Sequence, residues 1–259
     1  MTGSGTGADL FSLQGKTFLI AGGTRGIGQA ISLRFARSGA KVIANYLRDE
    51  KSAKALGQIA AEDQLHVSFC RADLTTEKGL EVLDQYLEEH DARLSGLVFS
   101  AATGIHRPVE ELTERHFDWT FGLNVRAFFR LIKLLKPRFS NGSSIVAISS
   151  LGAQRVLPNY ALVGSSKAAL ESLARHIAVE LAPSGIRVNV LTAGAVLTDA
   201  WKAIPNSERR IAETIGRTPT GRLVTAEEVA CGVQFLCSDA ASAVVGQTLV
   251  LDGGNSVMV

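Results

Sequence analysis

The sequence predicts an α/β fold, a single doubly wound domain around a seven-stranded parallel sheet with helices on both faces. Three observations carry that expectation. Short runs rich in Val, Ile, Leu and Phe recur along the chain, and segments of helical periodicity separate them, which is the alternation of strand and crossover helix. The apolar runs are near-continuous rather than alternating, as in strands covered on both faces. A glycine-rich turn follows the first run and opens an apolar helical segment, at the strand end where such sheets bind ligands. A length of 259 residues suits one large domain.

Taken in order, residues 1–13 read as a flexible leader. Gly3, Gly5 and Gly7 imitate a nucleotide-binding spacing, but no strand precedes them and no apolar helix follows. The domain is expected over 14–259, with strands at Thr17–Ala21, Lys41–Asn45, His66–Cys70, Gly96–Ser100, Ser144–Ser149, Arg187–Leu191 and Gln247–Leu251. Leu80, Leu83 and Leu87 mark one crossover helix, and Leu170, Leu173, Ile177 and Leu181 another. No internal linker or repeat interrupts this pattern.

Composition excludes some functions. Lys plus Arg total 27 against 25 Asp plus Glu, and a net charge of +2 provides no field for nucleic acid or an anionic membrane as main partner. Cys70, Cys231 and Cys237 are odd in number and lack metal-ligand spacing, so they read as core residues in a reducing compartment. No apolar run is long enough to span a bilayer and no signal peptide opens the chain, so a cytoplasmic location is expected. His66, His90, His106, His116 and His176 show no paired spacing, and no metal site is expected.

The turn Ala21-Gly22-Gly23-Thr24-Arg25-Gly26-Ile27-Gly28 makes the domain Rossmann-type. Missing Cβ atoms allow a tight turn and close approach of a pyrophosphate, and the following helix N-terminus offers free N–H donors. Gly22, Thr24, Arg25, Gly26, Ile27 and Gly28 are therefore expected at a nicotinamide dinucleotide. The second strand ends Asn45-Tyr46-Leu47-Arg48, without the acidic residue that grips the ribose hydroxyls of NAD. Arg48 and Arg25 can meet a 2′-phosphate, which favours NADPH; the alternative is that both are solvated surface arginines.

Tyr160 and Lys167 stand seven residues apart in Pro158-Asn159-Tyr160-Ala161-Leu162-Val163-Gly164-Ser165-Ser166-Lys167. On a helix, intervals of four and seven share a face but differ by about 4.5 Å in height. Reduction of a ketone needs an acid at the oxygen on the carbon that takes hydride. Conjugate reduction of an enoyl thioester needs it two carbons further along. The interval thus separates two chemistries.

These residues, with Asp73-Leu74, Ala101-Ala102, Asn124 in Leu123-Asn124-Val125, Ile148-Ser149-Ser150 and Leu251-Asp252-Gly253-Gly254, resemble the short-chain dehydrogenase/reductase superfamily over residues 14 to 259. Most members have Tyr four residues before Lys, where Val163 stands here. The longer interval, with Ser149-Ser150-Leu151-Gly152, Val163-Gly164 and Thr198-Asp199-Ala200, resembles enoyl-acyl carrier protein reductase, type III.

That resemblance implies that Lys167 orients the nicotinamide ribose and Tyr160 donates to the thioester carbonyl, with an adjacent positive charge lowering the phenol below its ordinary pKa of about 10. It implies that Ser150 is the active-site serine, or only shapes the pocket, and that Asn124 supports the lysine through water. Asp73, Leu74, Ala101, Ala102, Gly194 and Thr198 are implied cofactor contacts. A homotetramer or homodimer through the helices after strands four and five is implied as well. Ala21, Phe99, Ser100 and Ala193 depart from the usual pattern and suggest altered loop rigidity.

Residues 195–222, with Pro205 and Pro219, read as a mobile cover over an apolar acyl pocket. Trp201, Ile204 and Ile211 either line that pocket or pack the segment down. Lys202, Arg209, Arg210, Arg217 and Arg222 either meet an acidic carrier or form an ordinary mixed surface beside Glu208 and Glu213. Three readings follow: an NADPH-dependent reductase of 2-enoyl thioesters on acyl carrier protein or coenzyme A; a 3-oxoacyl or other carbonyl reductase; and a non-catalytic NADPH-binding protein. Tyr160, Lys167, Ser150 and Asn124 together argue against the last, since binding alone needs no such set.

Overall fold

The computed structural model describes residues 9–198 and 207–258. In chain order the elements are β1 Thr17–Ala21, α1 Gly26–Arg37, β2 Lys41–Tyr46, α2 Glu50–Glu62, β3 Val67–Arg71, α3 Glu77–Glu89 and β4 Leu94–Phe99. There follow α4 Glu114–Phe121, a π-helical turn Gly122–Ala127, α5 Phe128–Leu135, β5 Phe139–Ser150, α6 Ala161–Leu181, β6 Arg187–Ala193, α7 Ser207–Arg217, α8 Ala226–Cys237 and β7 Thr248–Leu251. The seven strands form one parallel sheet in the order β3-β2-β1-β4-β5-β6-β7. The chain builds outward from β1 to β3, then returns to place β4 on the other side of β1. That reversal opens a crevice at the carboxyl ends of β1 and β4.

Strand sequence explains the two-sided core. Side chains alternate across a strand, so Phe18 and Ile20 pack with Ile31, Phe35, Leu56, Val229 and Val233 of α1, α2 and α8. Leu19 and Ala21 face the other layer, with Leu83, Leu87, Phe128, Leu131, Leu170 and Ile177 of α3, α5 and α6. Helix starts are set by side-chain caps: Asp49 on α2, Thr76 on α3, and capping boxes at Thr113 and Thr225 on α4 and α8.

The expected strands are found with small shifts at their ends. The main difference is β5, which begins at Phe139 rather than Ser144. Its register with β4 jumps between Leu94↔Phe139 and Gly96↔Ser144, an irregularity carried by the polar Phe139-Ser140-Asn141-Gly142-Ser143 stretch, whose composition reads as a turn. Residues 1–8 of the expected leader lie outside the described residues. From residue 9 the chain is docked: the Phe11 carbonyl accepts from Gln234 Nε2 at 2.8 Å, and Leu13 is fully buried. Cys70 and Cys237 are buried as expected of core residues, but Cys231 is exposed on the outer face of α8.

Candidate active site

The crevice is built first by the glycine turn. Gly22 has φ of +74°, and a Cβ there would stand 2.9 Å from the Ala101 backbone, so the turn closes directly on the end of β4. Thr24 is buried, and Gly26, Ile27 and Gly28 form the first turn of α1. Its N-cap residue, Arg25, is extended and makes no side-chain cap, which leaves the first N–H groups of a 12-residue helix for an anion. A Cβ on Gly26 would lie 3.5 Å from the Thr198 methyl, which brings Thr198 to the same turn. A tight turn without Cβ atoms and an uncapped helix start fit a dinucleotide pyrophosphate.

At the end of β2, Asn45 is buried and its amide donates to the carbonyls of Cys70 and Ala72 at 3.2 and 3.1 Å. It ties β2 to β3 and is not presented to a ribose. Arg48 and Arg25 are both exposed. They share one edge, because Asp49, next to Arg48, is held below the usual carboxylate range by its bonds from Ser52 and, in smaller part, by the Arg25 charge. Beyond β3, Asp73 Oδ1 accepts from the Thr75 amide and hydroxyl at 2.9 and 2.6 Å, and Leu74 is buried. Ala101 is half-buried against the turn and Ala102 is exposed. The Gly194 N–H donates to the Leu251 carbonyl at 2.8 Å, at the carboxyl end of β6.

Tyr160 corrects one expectation. It is the N-cap residue of α6 rather than part of its first turn, with φ of −120° and ψ of 12°, and it follows Asn159 in the left-handed region at φ 58°. Its height is therefore set by the cap and not by helical rise. The Tyr160 hydroxyl donates to Ser150 Oγ at 3.2 Å, and Ser150 Oγ also accepts from the Gly152 N–H at 3.3 Å. The ring lies on Gly152, where a Cβ would collide with it, and packs edge-to-face on His106 with centroids 5.1 Å apart. Burial pushes the phenol above its ordinary pKa, opposed by the Ser150 bond. The expected lowering by Lys167 is absent.

The ammonium of Lys167 points elsewhere: Nζ donates to the Ile148 carbonyl at 2.8 Å. Burial lowers its pKa to about 8, against the Glu171 charge, which raises it. Asn124 lies in the π-helical turn between α4 and α5, fully buried. Its side chain bridges the Thr103 amide and carbonyl, both at 2.9 Å, and donates to Ser166 Oγ at 2.9 Å. Asn124 thereby fixes the loop after β4 to the residue preceding Lys167. Single π-helical turns are common at functional sites, where they aim one side chain out of the regular ladder.

Val163, four residues before Lys167, is a buried hydrocarbon set against Gly104. The chain holds 3 tyrosines. Tyr46 ends β2 and Tyr86 lies on α3, so Tyr160 is the phenol at this site. Beside it opens a cleft of about 370 Å³, lined among others by Pro108, Val109, Val156, Leu157, Arg107 and Arg155. Trp201 and Ile204 lie outside the described residues, as does Lys202; Ile211 is half-buried on α7. Arg209 pairs with Glu213 and Arg222 with Glu228, as a mixed surface would. Among the described residues no group of His, Cys, Asp and Glu is placed to hold a metal ion, and no helix is long and apolar enough to cross a membrane.

The sequence reading missed Glu171 and His106. Glu171 stands four residues after Lys167, so helical spacing alone could have marked it. His106 reaches Tyr160 from the loop after β4, a contact that only the fold creates.

The family model described as Enoyl-(Acyl carrier protein) reductase matches residues 21–256. A 1-cyclohexenylcarbonyl-CoA reductase of Streptomyces collinus is 34% identical over 242 residues, covering 93% of this chain and 86% of that protein. The 7α-hydroxysteroid dehydrogenase of Escherichia coli is 34% identical over 253 residues, covering 95% and 96% of the two chains. Among solved structures, a 7α-hydroxysteroid dehydrogenase complexed with NADH and 7-oxo glycochenodeoxycholic acid superposes with a TM-score of 0.90 at 33% identity, covering 96% and 97% of the two chains. A Beutenbergia cavernae protein solved with bound NADP gives 0.88 at 32%, covering 96% and 99%. With its parallel sheet and glycine turn, the chain belongs to the short-chain dehydrogenase/reductase superfamily of oxidoreductases, in the family described as enoyl-(acyl carrier protein) reductase.

Proposed function

We propose that this oxidoreductase uses NADPH to reduce the carbon–carbon double bond of 2-enoyl thioesters carried on acyl carrier protein or coenzyme A, in fatty acid or polyketide biosynthesis. One observation carries the reading: Tyr160, from the helix cap, occupies Ser150, while the place four residues before Lys167 holds buried Val163. The relative named for reduction of a cyclohexenylcarbonyl-CoA supports the same substrate class.

NADPH, when bound, supplies the hydride. Gly22, Thr24, Gly26, Ile27 and Gly28 with the α1 N-terminus would hold its pyrophosphate, Arg25 and Arg48 its 2′-phosphate, and Lys167 its nicotinamide ribose. Ser150 and the Gly152 contact orient the Tyr160 phenol. Because burial raises its pKa, that phenol stays protonated at neutral pH and donates to the thioester carbonyl oxygen. Negative charge develops on this oxygen as the β-carbon is reduced, so the bond strengthens toward the transition state. The apolar side of the cleft, Val156, Leu157 and Pro108, suits an acyl chain, and Arg107 and Arg155 suit an anionic carrier.

Carbonyl reduction is the second reading, favoured by the likeness to the 7α-hydroxysteroid dehydrogenase. Phe117, Trp119 and Phe129 on α4 and α5 are 46%, 46% and 45% exposed, which supports a homotetramer or homodimer formed through those helices. The reduced thiols suit the cytoplasm. Crotonyl and acetoacetyl thioesters, each on both carriers, distinguish the two readings by NADPH oxidation and product mass. Turnover of crotonyl thioester to butyryl thioester is expected, whereas turnover of acetoacetyl thioester alone would refute the proposal.

A further inference from the structure

Beneath Lys167 lies a buried acid that the proposed chemistry does not use. Glu171 is 3% exposed and sits one helical turn along α6 on the face that carries Lys167. Both its oxygens are engaged by neutral donors: Ser149 Oγ at 2.6 Å and Thr192 Oγ1 at 3.0 Å on Oε1, and Gln154 Nε2 at 3.2 Å on Oε2. A buried carboxylate is costly unless it is hydrogen-bonded and opposed by a positive charge. The Lys167 ammonium is equally buried and is bonded to a neutral carbonyl. Other elements packed here bring no further charge among the described residues. Strand β5 gives Ser149 and the Ile148 carbonyl, β6 gives Thr192, and the π-helical turn gives Asn124. Tyr160 at the cap is a protonated phenol, and Arg175 and His176 on the next turn of α6 are exposed.

We infer that Glu171 is a positioning residue of this site, whose buried carboxylate keeps the Lys167 ammonium charged and ties the Ser150 loop to α6. The inference rests on the reading of Lys167 as part of the reductase machinery. The tie has two strands, since Ser149 adjoins Ser150 in β5 and Gln154 closes the short helical turn after it. One carboxylate thus sets both the charge that would hold the nicotinamide ribose and the loop that orients Tyr160.

The test begins with the full-length apo protein labelled at lysine Cε, the Lys167 signal being assigned by its loss in Lys167→Met. Glu171→Gln keeps the shape and an acceptor oxygen for Ser149 and Thr192, gives up the acceptor facing Gln154 Nε2 and removes the charge; it should move the Lys167 titration midpoint about one pH unit lower. With crotonyl thioester, the alkaline limb of kcat/KM should move by the same interval, about a tenfold loss above the limb. Glu171→Asp should restore both. Should Glu171→Gln fold poorly, Glu171→Met, which fills the space without charge or polar atoms to satisfy, should move the midpoint in the same direction. An unchanged midpoint in folded Glu171→Gln, or an equal loss in Glu171→Asp, overturns the inference. A shifted midpoint with an unchanged kcat/KM profile would leave Glu171's hold on the charge standing and refute the role of Lys167 in turnover.

Discussion

At the scale of single residues the site is a division of labour between two ionisable groups, half-buried Tyr160 and buried Lys167, shifted in opposite senses. Burial raises Tyr160 and lowers Lys167, because it disfavours the charged form of each. Tyr160 therefore remains a donor across the neutral range, while Lys167 loses its proton as pH rises through about 8. Activity that needs the ammonium should fall across that pH, and a kcat/KM profile measures it. Tyr160→Phe keeps the ring on Gly152 and His106 but removes the donor. It should lower kcat by about 100-fold or more with little change in NADPH binding, read by steady-state turnover and fluorescence titration. The Tyr–Lys pair stood out in the sequence by its interval, and Ser150 and Asn124 by the family resemblance. Their bonding was not. Nothing in the interval says that Lys167 turns to the Ile148 carbonyl or that Asn45 is taken up by Cys70 and Ala72, because those contacts depend on strand register.

At the scale of elements, the important boundary is the start of α6. Helical periodicity runs smoothly through Tyr160, so the sequence places it in the helix. The structure starts the helix one residue later, at Ala161, because Asn159 adopts φ 58°, a conformation Asn tolerates better than other non-glycine residues. That left-handed residue turns Tyr160 back onto Gly152 and Ser150. Asn159→Gly should leave thermal stability and turnover nearly unchanged. Asn159→Val should cost about 1–3 kcal/mol of stability and lower turnover as well, measured by thermal unfolding and initial rates. The glycine turn was easier to read, since a strand, a missing Cβ and an apolar helix in series leave one arrangement. Likewise β5 was read short, because the polar stretch after Phe139 looks like a turn, and of its residues before Ser144 only Phe139 pairs with β4.

At the scale of the whole molecule, the sheet order decides where chemistry happens. The reversal between β1 and β4 sets the glycine turn against Ala101, and the paired ends of β5 and β6 carry Ser150 opposite Ala193. This arrangement followed from alternation and continuous apolar runs, which is why the fold was legible from composition along the chain. The cleft beside Tyr160 was not, because Pro108 and Val109 reach it from the loop after β4 and Val156 and Leu157 from the segment before α6, a meeting that only the fold creates. The central claim is that displacement of the phenol from Val163's place to Tyr160 commits this fold to conjugate reduction. Its most direct measurement is the position of the label after reaction with NADPH deuterated at the nicotinamide C4, with crotonyl and acetoacetyl thioesters supplied together and products resolved by mass and NMR. Deuterium at C3 of a saturated butyryl thioester is the predicted result. Deuterium on the carbinol carbon of a 3-hydroxybutyryl thioester, with crotonyl thioester recovered intact, would contradict it.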